Sequence, residues 1–181
     1  IKNKAGELVE PPDWEEKKLG DILDYEQPTK YIVTDTEYNL NYETPVLTAG
    51  KTFILGYTNE KNGIYDDVPA IIFDDFTTSF HFVNFPFKVK SSAMKILKPN
   101  SDNVNLKYVY EAMKKINFPL AEHKRYWISE YQNMKIKYPC IKEQHKIADF
   151  LSAIDTKIEA VAEQRRIHRK WKKGLLQKMF V

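Results

Sequence analysis

Residues 139–155 read PCIKEQHKIADFLSAID, and the apolar spacing that this stretch opens decides the architecture. Ile147, Leu151, Ile154, Ile158 and Val161 fall four, three, four and three residues apart, which is the spacing of a coiled-coil seam. Leu175 and Met179 return to the same register, with Arg165, His168 and Lys172 at the seam positions between. No proline occurs from Lys142 to Gln177, and Gly174 alone is a weak breaker, so the pattern predicts one helix of about 50 Å at 1.5 Å per residue. A stripe of that length exceeds what a small domain can cover, and it calls for a partner helix.

The preceding residues read differently. Runs rich in β-branched and aromatic residues, separated by Gly, Asn, Asp, Pro and Thr, predict seven short strands: Tyr31–Val33, Pro45–Thr48, Thr52–Tyr57, Ala70–Phe73, Phe80–Val83, Phe87–Val89 and Lys95–Leu97. A short helical turn with Trp14, Leu19 and Ile22 inward is expected before them. A helix over Val104–Ile116 follows from Leu106, Val109, Tyr110 and Met113, and ends before Pro119. Met134–Tyr138 reads as a last strand. The fold class is therefore α/β (α+β): a mixed, curved sheet over residues 1–140, then a long helix over 141–181.

Composition narrows the function. The chain has 181 residues and a net charge of +3, but the charge is uneven: ten Lys/Arg against five Asp/Glu from Ile141 onward, and eighteen against twenty before it. Six of the positive charges lie in Arg165–Lys173, which reads as a solvated helix end, possible ground for an acidic partner, ahead of direct DNA binding. No apolar run approaches the ~20 residues of a membrane span, and the N-terminus has no hydrophobic signal core, so a cytoplasmic protein is expected. The single Cys140 excludes an internal disulfide and reads as a buried thiol.

Enzymatic motifs fail. Pro11-Pro12-Asp13-Trp14 lacks an accompanying Gly-rich cofactor loop, and the carboxylates of 13–16 are too close in sequence for a nuclease metal site. Asp74-Asp75 lacks neighbours to complete a hard-cation shell, and reads as loop-capping or base-contacting. His81, His123, His145 and His168 have no ligand spacing. No catalytic residue, metal or cofactor is expected. The chain reads as a binder.

Candidate contacts follow strand ends. Thr77, Thr78 and Ser79 put hydroxyls between aromatics after a strand, suited to phosphates or base edges, or equally to a capped turn. Lys51 and Thr52 after Gly50, and Lys88, Lys90 and Ser91, place amines and hydroxyls beside tight backbone, the usual means of holding a phosphate backbone. Solvated lysines are the competing reading, and Lys124-Arg125 before Tyr126-Trp127 carries the same ambiguity.

The run Glu143-Gln144-His145-Lys146-Ile147-Ala148-Asp149-Phe150-Leu151, preceded by Trp127-Ile128-Ser129 and a strand ending at Pro139, and closed by Lys172-Lys173-Gly174-Leu175-Leu176, resembles the specificity (S) subunit of type I restriction-modification systems. Trp14-Glu15-Glu16-Lys17-Lys18-Leu19-Gly20-Asp21-Ile22 resembles the start of one of its target-recognition domains. The resemblance implies a non-catalytic subunit that reads one half of a bipartite site in double-stranded DNA. It implies partners too: a methyltransferase (M) subunit that methylates adenine N6 from S-adenosylmethionine, and a restriction (R) subunit. That family has two recognition domains and two helical regions paired as an antiparallel coiled coil, where this chain has one of each. A natural half-length subunit and a fragment of a longer one are the two readings, and Ile1–Glu7 resembles a link that follows a central conserved region, which favours a C-terminal half. Two copies are expected to associate through Ile147, Leu151, Ile154, Ile158, Val161 and Leu175. A coiled-coil adaptor that binds only protein is the rival.

Overall fold

A computed structural model describes residues 14–48, 52–119 and 125–180. In chain order its elements are β1 (Glu15–Lys18), α1 (Leu19–Ile22), β2 (Leu23–Glu26), β3 (Thr44–Leu47), β4 (Ile54–Thr58), β5 (Ala70–Asp74), β6 (Phe80–Val83), β7 (Lys88–Val89), β8 (Met94–Pro99), α2 (Leu106–Met113), α3 (Tyr126–Ser129), β9 (Lys135–Tyr138) and α4 (Ile141–Met179). The strands divide into three sheets. One is a four-stranded antiparallel sheet in the order β2-β8-β5-β6, one is a three-stranded sheet in the order β4-β3-β7, and one is the pair β1-β9. The mixed character comes from the second, where β3 runs antiparallel to β4 and parallel to β7.

The four-stranded sheet forms the centre because its middle strands are apolar on both faces. Successive side chains of a strand point to opposite sides. Ile71, Phe73 and Leu97 accordingly join a cluster with Leu19, Val109, Trp127 and Tyr131, whereas Ala70, Ile72 and Ile96 join one with Leu47, Tyr65, Phe87 and Val89. The helices and β1-β9 therefore cover one face, and the sheet holding β3, β4 and β7 covers the other.

Two local departures from expectation stand out. The expected short helical turn forms at Leu19–Ile22 with Leu19 and Ile22 buried, but a strand lies on each side of it. Residues 15–18, Glu-Glu-Lys-Lys, have little strand propensity of their own. They extend because β9 offers opposite charges across the ladder: Glu16 lies opposite Lys137 and reaches its amine at 3.1 Å, and Lys17 sits 4.5 Å from the centre of the Tyr138 ring. Tyr31–Val33 does not form a strand. Pro28 starts a 3-10 turn over Pro28–Tyr31, and only Ile32 makes an isolated bridge, to Val89.

Helix α4 runs 39 residues, about 58 Å. Its first turns dock on the body through Gln144 and Ala148, both buried, and from Thr156 to Phe180 every residue but Gly174 is exposed. The Gln144 amide makes the joint: Oε1 accepts from Asn105 N at 2.9 Å, and Nε2 donates to Pro139 O at 2.9 Å and to Asn103 O at 3.3 Å. Asn105 in turn caps α2, accepting from Tyr108 N at 2.9 Å. Lys107 of α2 braces the helix about four turns from its start, through Asp155 at 3.0 Å. Cys140, expected to be buried, is exposed: it precedes the first helical residue, and the buried neighbour is Pro139. Among the described residues no helix is long and apolar enough to cross a membrane.

Candidate nucleic-acid interface

Three loops meet along one edge of the body, each held to the next by backbone. The β3–β4 hairpin closes with Thr48 N donating to Phe53 O at 2.9 Å and Thr48 Oγ1 donating to Thr52 O at 2.8 Å. The segment after β7 is tied to that hairpin by Lys90 N to Leu47 O, 3.0 Å, and to the β5–β6 turn by Asp75 N to Ala93 O, 3.0 Å. A further link joins the outer loops, since the Phe53 and His81 rings stack with centroids 4.3 Å apart. Burial pushes the His81 imidazole below its ordinary value, favouring the neutral ring that stacks there.

The β5–β6 turn is closed by the side chain and carbonyl of its first residue. Asp74 Oδ1 accepts from Phe76 N and Thr77 N, both at 2.8 Å, and Thr78 N returns to Asp74 O at 3.0 Å. This closure puts Thr78 at φ +54°, a left-handed conformation that β-branched residues rarely adopt. Asp75 points inward. Its Oδ2 pairs with Lys95 at 3.2 Å, with both side chains 1 % exposed, while its Oδ1 accepts from Trp127 N at 2.9 Å and its carbonyl from Tyr126 N at 2.8 Å. A buried ion pair is costly to form and still more costly to break on one side only, so it holds the turn and α3 as one unit. Of the two roles expected for Asp74-Asp75, loop-capping or base-contacting, capping is the one seen at Asp74, and Asp75 is an inward anchor.

Four of the expected contact residues lie exposed on these loops: Thr52, Thr77, Ser79 and Ser91. Thr78 and Lys90 are half-buried beside them, and the Lys90 amine stands 5.8 Å from the centre of the Tyr38 ring. Lys51 lies outside the described residues. Lys88 is a correction. It is 3 % exposed, pairs with Glu60 at 2.7 Å and donates to Asn62 O at 2.7 Å, so its amine faces away from solvent. Glu60 also accepts from Thr34 N, Thr34 Oγ1 and Asp35 N at 2.8–2.9 Å. Burial pushes the Glu60 carboxyl up, but these N–H donors, the hydroxyl and the Lys88 ammonium outweigh it and bring it down to about 2. Among the described residues, no three His, Cys, Asp or Glu side chains gather where they could hold a metal ion.

The helix offers a second surface. Ile147 and Leu151 are half-buried at its foot, where they border a groove of about 630 Å³ shared with Trp14, Tyr108, Ile116 and Met134. Further along, Ile154, Ile158, Val161 and Leu175 are exposed. The charge on α4 is polarised: residues 141–163 hold three Lys/Arg and five Asp/Glu, and residues 164–181 hold seven and none.

Residues 11–169 match the family described as the type I restriction modification DNA specificity domain. The chain is 56% identical over 127 residues to the type I restriction enzyme EcoR124I/EcoR124II specificity subunit of Escherichia coli, which covers 67% of this chain and 31% of that protein. It is 26% identical over 180 residues, 94% of this chain and 42% of the other, to the MjaVIII specificity subunit of Methanocaldococcus jannaschii. The chain thus spans less than half the length of either relative. Its fold is similar to the crystal structure of a type I restriction-modification S subunit from M. genitalium, with a TM-score of 0.67 at 18% identity, covering 91% of this chain and 45% of that one.

Proposed function

Because the chain belongs to the type I restriction-modification DNA specificity family, we propose that it reads one half of a bipartite site in double-stranded DNA and directs a methyltransferase to it. The observation that carries this reading is the shared edge of three polar loops, which sets Thr52, Thr77, Ser79, Lys90 and Ser91 on a rigid body. Hydroxyls and an amine on preorganised loops can hold the phosphate backbone in register while others reach base edges. Residues 1–140 act as the recognition domain, and residues 141–181 as spacer and docking helix. The chemistry, adenine N6 methylation from S-adenosylmethionine, belongs to the methyltransferase, and cleavage to a restriction subunit that joins the same complex. The assembly works in the cytoplasm.

The helix pairs antiparallel with a second copy. Charge supports that orientation, since it sets the seven positive charges of residues 164–181 against the acidic half of the partner helix, where a parallel pair would oppose like charges. It also brings Leu175 and Met179 of one copy beside Ile147, Leu151 and the groove of the other. The test is to affinity-purify the chain from cells, identify the methyltransferase that accompanies it, and map methylated adenines with and without the chain. A set of adenines that loses methylation when the chain is absent is the expected result. An unchanged pattern would refute the reading. The family assignment disfavours an adaptor that binds protein alone.

A further inference from the structure

The β5–β6 turn carries a cation that its own sequence does not supply. Arg125, exposed and immediately before α3, holds its guanidinium carbon 5.8 Å from the centre of the Phe76 ring. Its backbone is fixed on the same unit: the next two N–H groups donate to Asp75, and Arg125 O accepts from Ser129 Oγ at 2.7 Å. The acidic groups of that turn are turned elsewhere. Asp75 faces Lys95 inside the body, and Asp74 Oδ1 is occupied by two backbone N–H groups. Among the described residues no carboxylate forms an ion pair with Arg125.

A guanidinium over an aromatic ring keeps its flat fork of N–H donors available at the edge, and the ring removes much of the freedom that a long side chain would otherwise lose on binding. A phosphate contact does not require that arrangement, since any flexible lysine supplies a point charge. A fixed plane suits an acceptor pair, and in the major groove that pair is O6 and N7 of guanine. We propose that Arg125 is a specificity-determining residue that reads a guanine, with Phe76 setting the plane of its guanidinium. The proposal rests on the DNA-reading function above and names one base and one residue within it.

The test is selection from a randomised duplex pool by the full chain together with its co-purified methyltransferase, comparing wild type, Arg125→Lys, Arg125→Ala and Phe76→Leu. Wild type should select a guanine at one position, and both Arg125 variants should lose that preference by roughly 5- to 150-fold while the other positions stay unchanged. Lysine should not rescue it, and Phe76→Leu should weaken the same position. Thermal melting of the Arg125 variants should match wild type. Selection unchanged in both Arg125 variants would overturn the proposal. So would a uniform loss across all sequences that lysine restores and that lowers the salt slope by about 1, because that identifies a phosphate contact. A wild type that selects no sequence refutes the DNA-reading function itself and takes this inference with it.

Discussion

Glu60→Gln tests whether the buried Lys88–Glu60 pair holds the fold through its charge. Glu60 is depressed from 4.5 to about 2. At 1.36 kcal/mol per pH unit, that difference makes the carboxylate worth about 3 kcal/mol of folding free energy at neutral pH. Its side chain is 18% exposed and its cationic partner 3%, so solvent screening removes little of this. The folded-state value is the lowered one, so the stabilisation is complete above the unfolded value of 4.5 and is lost as pH falls toward 2. Glutamine keeps the shape and an acceptor oxygen but not the charge. Urea unfolding should therefore show a wild-type advantage of about 3 kcal/mol at pH 7, little changed at pH 5 and reduced to about 1.4 kcal/mol at pH 3. Other carboxylates titrate in both proteins and cancel in the difference. A gap that stays constant between pH 7 and pH 3 would show that Glu60 acts through packing alone, and the charge argument would fail.

Lys90→Met should weaken DNA binding evenly across sequences and lower the slope of log K against log salt by about 1, measured by fluorescence anisotropy at several salt concentrations. Lys88→Met should leave that slope unchanged and instead lower the unfolding midpoint, since it strands Glu60. Gln144→Ala removes three hydrogen bonds and leaves Asn105 N–H and Pro139 C=O without their partner, which should cost roughly 2–3 kcal/mol in urea unfolding. Replacing Arg165, Arg166 and Arg169 by Glu should remove the charge complementarity of the antiparallel pair, and sedimentation at micromolar concentration should shift from dimer to monomer. A variant that sediments like wild type counts against that orientation.

Much of the fold is readable without coordinates, because local signals and tertiary structure agree there. The α4 register runs without a proline over some ten turns, broken at the seam only by Arg165, His168 and Lys172, and Ala70–Phe73 is apolar enough to be a central strand wherever it lies. The failures have a common cause. Glu15–Lys18 becomes a strand only because Lys135–Tyr138 lies beside it, some 120 residues away in the chain. Lys88 is withdrawn from the surface by Glu60, 28 positions earlier, and nothing next to either residue announces the pair. The turn at 75–79 was visible as hydroxyls between aromatics, whereas its anchoring needs Lys95 and Trp127, and Arg125 reaches Phe76 across 49 positions. The Gln of the Glu-Gln-His run stands out in the sequence as a motif, but its part as a buried clamp emerges only when Asn103, Asn105 and Pro139 are brought round it.

That clamp bears on mechanical tolerance. A helix about 58 Å long is a lever, and 5° of play at its foot moves its far end by about 5 Å, more than the 3.4 Å between successive base pairs. Anything aligned by the tip inherits the angular error of the joint. Gln144, with the Lys107–Asp155 pair about three turns beyond it, sets that error, so a loosened joint would blur the distance between the two half-sites proposed above even with every base-facing residue intact.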